Sequence, residues 1–228
     1  MEIKPWEALP LYMQNEEVRP YYEILKTKEK QLQKKRIFDV VMASIILTMA
    51  LPLLIIIAIC IVVDSKGGVF FCQERVTAYG RHFKIIKFRT MIKDADKKGA
   101  GITVKNDTRV TKVGAFLRKY RLDEIPQLFN IIWGDMSFVG TRPESVKYVD
   151  RYTGKMYATF LLPAGVTSSA SIEYKDEETL LENADNVDEV YINEILPAKM
   201  EYNYNDIENL SFAREMKILF KTLIAVLR

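Results

Sequence analysis

Residues 40–63, VVMASIILTMALPLLIIIAICIVV, carry no charged side chain. A helix needs roughly 20 apolar residues to cross the hydrocarbon core of a bilayer. A water-soluble domain has few ways to bury so long a run, so this segment constrains the fold more than any other. It begins well inside the chain and ends without a small-residue cleavage pattern, and therefore reads as a permanent membrane element. Pro52, in its middle, lacks an amide proton and crowds the preceding turn, which favours a kink. The hydroxyls of Ser44 and Thr48 can bond carbonyls that a kink frees. Composition alone favours a kinked transmembrane helix, with a re-entrant helix that leaves by its face of entry as the alternative. The flanks add charge to the argument. Residues 26–36, KTKEKQLQKKR, hold six basic residues against one acid, the mark of a cytoplasmic flank. Beyond the run, Arg75, Arg81, Lys84, Lys87, Arg89 and Lys93 follow in short order, a pattern that suits two cytoplasmic flanks.

The chain has 228 residues, enough for one ordinary domain or a smaller one with an appendage. Two cysteines, Cys60 and Cys72, have neither the number nor the spacing of a disulfide framework or zinc site. The single histidine, His82, sets aside hydrolases built on a histidine base and metal sites built on several histidines. Acid, base or metal chemistry must then run on carboxylates. A net charge of +3 without a groove-reading motif gives no reason to expect nucleic acid as a partner.

Residues 1–33 are polar, broken by Pro5, Pro10 and Pro20, and dotted with Trp6, Tyr12, Tyr21 and Tyr22; they can lie along headgroups or pack on the domain. VFFCQERV and FKIIKFRTM read as strands joined at TAYGRH, with Lys87 and Arg89 on one face. Residues 109–120 and 124–133 read as helices, stopped at Gly134-Asp135. Residues 173–189 carry eight acids against one lysine, ordinarily a solvated face. In the final segment Phe212, Met216, Leu219, Leu223 and Val226 fall at helical spacing, which favours core packing, with a helix resting on the membrane surface as the alternative.

Within this frame RLDEIPQ, residues 121–127, sets two acids at the head of an apolar stripe of Leu128, Phe129, Ile131 and Ile132. Asp123 suits an N-cap, with Pro126 in the first turn, which would leave Glu124 exposed and spare. The same geometry has a chemical reading. A helix N-terminus favours anions, so Asp123 can be an ionised nucleophile beside a phosphate, and Glu124 can hold Mg²⁺ to screen the repulsion. Cations stand nearby in RVTKVGAFLRKYR and in GDMSFVGTRPE, where Arg142 precedes Pro143.

Four stretches carry a resemblance: KRIFDVVMASIILTMALPLL (35–54), QERVTAYGRHFKIIKFRTM (73–91), DTRVTKVGAFLRKYRLDEIPQLFNIIWGDMSFVGTRPE (107–144) and ILPAKMEYNYNDIENLSFAREMKILFKTLIAV (195–226). Together they resemble the bacterial sugar transferases of the monotopic phosphoglycosyl transferase family, over most of the chain beyond residue 34. The resemblance implies transfer of a sugar 1-phosphate from a UDP-sugar to polyprenyl (undecaprenyl) phosphate, with release of UMP, as the first membrane step of bacterial glycoconjugate synthesis. By position Asp123 is the implied nucleophile, Glu124 the Mg²⁺ ligand and Arg142 a phosphate contact. Arg118 and Arg121, and more weakly Lys87 and Arg89, are added as phosphate-binding residues. The family's membrane helix is re-entrant and broken at a proline matching Pro52.

The expected fold is α+β and mainly helical: an N-terminal extension (1–33), a re-entrant membrane helix (34–63) and a cytoplasmic catalytic domain (64–228) with short strands and amphipathic interfacial helices. Such a protein would sit monotopically on the cytoplasmic face of the inner membrane, with self-association into a homodimer left open. The alternative is a non-catalytic, membrane-anchored scaffold whose basic patch binds anionic lipid. Three positions depart from the family pattern: Thr141 for a proline, Leu51 for a serine, and LPAGVTSSASIEYKDEE (162–178), where only Gly165 and Thr167 match and where sugar choice would be set.

Overall fold

The computed structural model describes residues 1–93, 95, 107–181 and 186–227. Part of the acidic stretch 173–189 therefore lies outside the described residues. The chain is mostly helical, with two short two-stranded sheets among the described residues. In chain order the elements are α1 (Arg19–Thr27), α2 (Glu29–Asp64), β1 (Phe70–Val76), β2 (His82–Phe88), α3 (Lys112–Lys119), α4 (Gln127–Trp133) and β3 (Met136–Val139). They continue with α5 (Val146–Val149), β4 (Ala164–Thr167), α6 (Ser169–Glu173), α7 (Glu177–Leu180), α8 (Val187–Val190), α9 (Leu196–Glu208) and α10 (Phe212–Leu227).

The apolar run sits in α2, 36 residues long and continuous through Pro52; at 1.5 Å per residue it measures roughly 54 Å. It is long and apolar enough to cross a membrane by length and composition. Thr48 Oγ1 donates to the Ser44 carbonyl at 2.8 Å, one turn before the carbonyl that Pro52 leaves without a donor. Lys35, Asp39, Ala43, Leu54, Ile57 and Ile61 are buried, and Leu47 and Ala50 are partly buried against the same clusters. Spacings of three and four place these residues on one stripe, which packs on the rest of the protein from end to end. The opposite face, including Val41, Met49, Ile55, Ile59 and Val63, is exposed.

The hairpin read from the sequence forms: β1 and β2 pair antiparallel, Phe70 with Phe88 through Val76 with His82. Arg89 lies beyond the end of β2, so it does not share a face with Lys87. Its guanidinium donates to the carbonyls of Ile61, Ser65 and Lys66 and closes the C-terminal end of α2. α4 ends where Gly134 takes φ 91° and its amide bonds the Asn130 and Ile131 carbonyls, a left-handed stop that glycine adopts without strain. The parallel pair β3–β4, with Met136 beside Ala164 and Val139 beside Thr167, was not read from the sequence.

Residues 1–28 pack into the core. Ile3, Leu9, Met13, Val18, Tyr21, Tyr22 and Leu25 form one buried cluster with Tyr148, Tyr152, Phe160, Leu161, Leu196, Met200 and Tyr204. At the other terminus, core packing by Phe212 and Leu223 is overturned. Both are exposed with Phe220, while α10 buries Glu215 and Ile218. The physical reason is a buried partner: Lys35 Nζ lies 2.8 Å from Glu215 Oε1 and 3.8 Å from Asp39 Oδ2, and Ser137 Oγ donates to Asp39 at 2.7 Å. This polar contact turns the Glu215 side of α10 inward and leaves Phe212, Phe220 and Leu223 outward.

Candidate active site

The two acids do not cap α4. Arg121 takes a left-handed conformation, φ 55°, and leads into a 3-10 turn over Leu122–Glu124; α4 then opens at Pro126 with no side-chain cap. Positive φ at a non-glycine residue is uncommon. Here it reverses the chain after α3 and sets Asp123 and Glu124 inside the turn rather than at a helix N-cap. Asp123 is buried, and its Oδ1 has no hydrogen-bond partner among the described residues.

Glu124 is the centre of a charged cluster. Lys87 Nζ donates to its Oε1 at 2.8 Å, and Arg142 Nη2 donates to the same oxygen. Among the described residues its Oε2 has only a long contact, 3.5 Å, to Arg142 Nη1. The Glu124 side chain is 10% exposed, whereas Lys87 and Arg142 keep 24% and 31%, so the two cations face an open side while the acid lies beneath them. Arg142 is fixed a second time, by donation from Nη1 to the Val166 carbonyl of β4 at 3.2 Å. Val166 belongs to the divergent stretch 162–178, which thus touches the site. Arg121 reaches the same stretch, at the Lys175 carbonyl, 3.5 Å away.

Each cation arrives by a local device. Asn130, fully buried, accepts from the Ile86 amide at 3.0 Å and donates to the Lys84 carbonyl at 2.9 Å, which locks β2, and so Lys87, onto α4. Sequence reading missed this residue; its signal was an asparagine within the apolar stripe LFNII. Arg118 Nε donates to Thr90 Oγ1 at 2.9 Å. α3 can sit that close because position 114 is glycine: a Cβ there would collide with the Thr90 backbone. Arg89 is bonded to the end of α2 instead.

The electrostatics separate the acids. Burial pushes the Asp123 carboxyl up, the Glu124 charge pushes the same way, and Lys87, Arg118 and Arg121 pull it back only in part. Burial also raises Glu124, but Arg142 and Lys87 together outweigh it and hold that carboxyl far below the usual range. Glu124 is therefore a permanent anion that gathers two cations. Asp123 is the adjustable one.

The residues also bear on Mg²⁺. No group of three or more His, Cys, Asp or Glu side chains that could hold a metal occurs among the described residues. Mg²⁺, however, is commonly held by one or two carboxylates together with substrate phosphates. The orphan Oδ1 of Asp123 and the weakly engaged Oε2 of Glu124 are oxygens of that kind.

A family model described as "Bacterial sugar transferase" matches residues 30–228. The chain belongs to the bacterial sugar transferase family. Among similar family members, the UDP-N-acetylgalactosamine-undecaprenyl-phosphate N-acetylgalactosaminephosphotransferase of Aeromonas hydrophila is 34% identical over 85% of this chain and 43% of its own length. The UDP-glucose:undecaprenyl-phosphate glucose-1-phosphate transferase of Klebsiella pneumoniae is 36% identical over 83% of this chain and 39% of its own. A Caulobacter vibrioides protein of the same name is 32% identical over 85% and 70%. The chain thus spans under half the length of the first two of these bacterial sugar transferases. Their names specify two different sugars.

Proposed function

We propose that this bacterial sugar transferase moves a sugar 1-phosphate from a UDP-sugar to undecaprenyl phosphate, releasing UMP, at the cytoplasmic face of the inner membrane. The observation that carries the reading is the pairing of a buried, partly unpartnered Asp123 with a Glu124 that fixes Lys87 and Arg142 beside it. A diphosphate needs cations and a nucleophile in one place, and this cluster supplies both.

Ionised Asp123 attacks the sugar-linked phosphorus; the bond from that phosphorus to the bridging oxygen breaks, and UMP departs with the electron pair. The sugar phosphate stays on the Asp123 carboxylate as an acyl phosphate. An oxygen of the lipid phosphate then attacks the same phosphorus, and the carboxylate leaves. Arg142 and Lys87 hold charge on the transferred group, with Arg118 and Arg121 beside Asp123. Mg²⁺ would be held by Glu124 with the diphosphate, and would supply charge neutralisation.

The packing of α2 supports a re-entrant placement. Asp39, just before the apolar run, accepts from Ser137 Oγ, and Asp64, just after it, accepts from the Val113 amide at 3.0 Å. Both ends thus rest on one domain. The relatives' differing sugars leave sugar choice to the stretch 162–178 beside Arg142 and Arg121.

The test is UMP release from a panel of UDP-sugars with polyprenyl phosphate, and radiolabel retained on protein given donor alone. Asp123→Asn should lose both. Substantial turnover in that variant would remove the nucleophile assignment, and UMP release without label would mean direct displacement. In the same assay a chelator should stop release and Mg²⁺ restore it; undiminished release in chelator would remove the metal.

A further inference from the structure

Arg75 was not among the residues assigned to the site, yet the hairpin aims it there. Side chains alternate across a strand, and directly paired residues of an antiparallel ladder share a face. Phe71, Gln73 and Arg75 therefore lie on one face of β1, and their partners Lys87, Ile85 and Phe83 on the same face of β2. Phe83 and Ile85 are buried against Leu128 and Ile131 of α4 and Met136 of β3, so this face looks onto the helix that follows the Glu124 turn and the strand that leads to Arg142. At the far end of β1 the Val76 amide bonds the Glu144 carbonyl, which draws the Arg142-Pro143-Glu144 loop to Arg75.

The Arg75 guanidinium is half-buried and poorly satisfied. Its hydrogen bond is to Gln73 Oε1, a neutral acceptor, at 2.7 Å, and among the described residues no carboxylate lies within ion-pair distance of it. Glu144 is the nearby acid, but it accepts from Tyr191 Oη at 2.6 Å and lies 3.6 Å from Lys199 Nζ. Burial pushes Arg75 down, Glu144 opposes this, and the Arg142 charge adds to it. A half-buried guanidinium without a counter-ion, beside a second guanidinium, is an arrangement that an anion completes.

Position selects which anion. Lys87, Arg118 and Arg121 act on Asp123, whereas Arg75 is coupled to Arg142 and Glu144; Arg142 feels both Asp123 and Glu124. Arg142 is bonded to Glu124, the neighbour of Asp123, and the Val76–Glu144 bond draws its loop to Arg75, so Arg142 links the turn of the nucleophile to Arg75. We propose that Arg75 binds the nucleotide-side phosphate of the donor, the group that leaves as UMP, while Arg142 spans the two phosphates. This rests on the phosphoglycosyl transfer reading above for its substrate.

The experiment compares binding of UMP and of uridine to the full chain in lipid nanodiscs by calorimetry, for the wild type, Arg75→Gln and Arg75→Lys. Loss of a charge-assisted phosphate contact should weaken UMP about tenfold to a hundredfold in Arg75→Gln. Uridine affinity and thermal midpoint should be unchanged, and Arg75→Lys should fall between. The donor KM should rise in Arg75→Gln and the lipid-acceptor KM should not. An unchanged UMP-to-uridine ratio overturns the proposal, as does an equal loss for both ligands, the mark of a structural role. If Arg75→Gln does not fold, the ratio in Arg75→Lys decides in the same way. Should the wild type prefer UMP through Arg75 yet turn over no UDP-sugar, the phosphate contact stands and the transfer reading fails; a wild type without preference for UMP overturns the contact.

Discussion

Asp123 and Glu124 are adjacent in sequence but opposite in electrostatic character, and the difference has a consequence for pH. Burial and the neighbouring anion raise the Asp123 carboxyl, so it stays protonated over a range in which a free aspartate, near pKa 3.9, is already ionised. In the proposed transfer the attacking form is the carboxylate. The single-turnover rate of UMP release should therefore rise with pH through an inflection above that ordinary value. Arg118 pulls the Asp123 carboxyl down; in Arg118→Gln this pull is gone and the inflection should move to higher pH. An inflection that stays put or moves down would mean that the limb belongs to another group. The residue roles were legible in part. DE beside IPQ marked the acids, but the cap reading missed the left-handed Arg121 that opens the turn. Lys87 and Arg89, two apart in the sequence, diverge because the strand ends between them.

Among the elements, the hairpin and the pair α3–α4 were readable because their periodicity is local. β3 and β4 are four residues each and pair in parallel across a long stretch of chain, so neither carries an alternation that sequence could register. The face of α10 was misread for a related reason. An apolar stripe marks a side that avoids water, and a core and a membrane satisfy that condition equally. The buried side was decided by Lys35, which α2 inserts between Asp39 and Glu215. Burial raises the Glu215 carboxyl, and Lys35 works against that rise. Replacing Lys35 with methionine leaves two buried acids without their cation and should lower stability by about 3–5 kcal/mol. Thermal unfolding in nanodiscs would read this as a clear fall in midpoint. A variant as stable as the wild type would show that the cluster contributes little to joining α2, β3 and α10.

At the scale of the whole molecule, α2 and the N-terminal residues decide how the protein meets the bilayer. Residues 1–28, whose prolines and scattered aromatics gave no pattern in the sequence, form a core with the segments around Tyr148, Phe160 and Tyr204. They lead directly into α2. The opposite end of α2 is held by Arg89 and Val113 of the same domain. A helix crossing the bilayer would have to part from the domain over the hydrocarbon core of about 30 Å, whereas the stripe from Lys35 to Ile61 packs on that domain along its length. Lys34 and Lys66 flank the apolar run and are exposed. With the exposed thiols Cys60 and Cys72 first changed to serine, single-cysteine variants Lys34→Cys and Lys66→Cys report the two ends separately. Both should react with a membrane-impermeant maleimide in inside-out vesicles, and neither in intact spheroplasts. Reaction of Lys66→Cys from the outer face alone, with Lys34→Cys confined to the inner, would establish a spanning helix. It would also require the contacts between Arg89 and the end of α2 to be absent in the membrane.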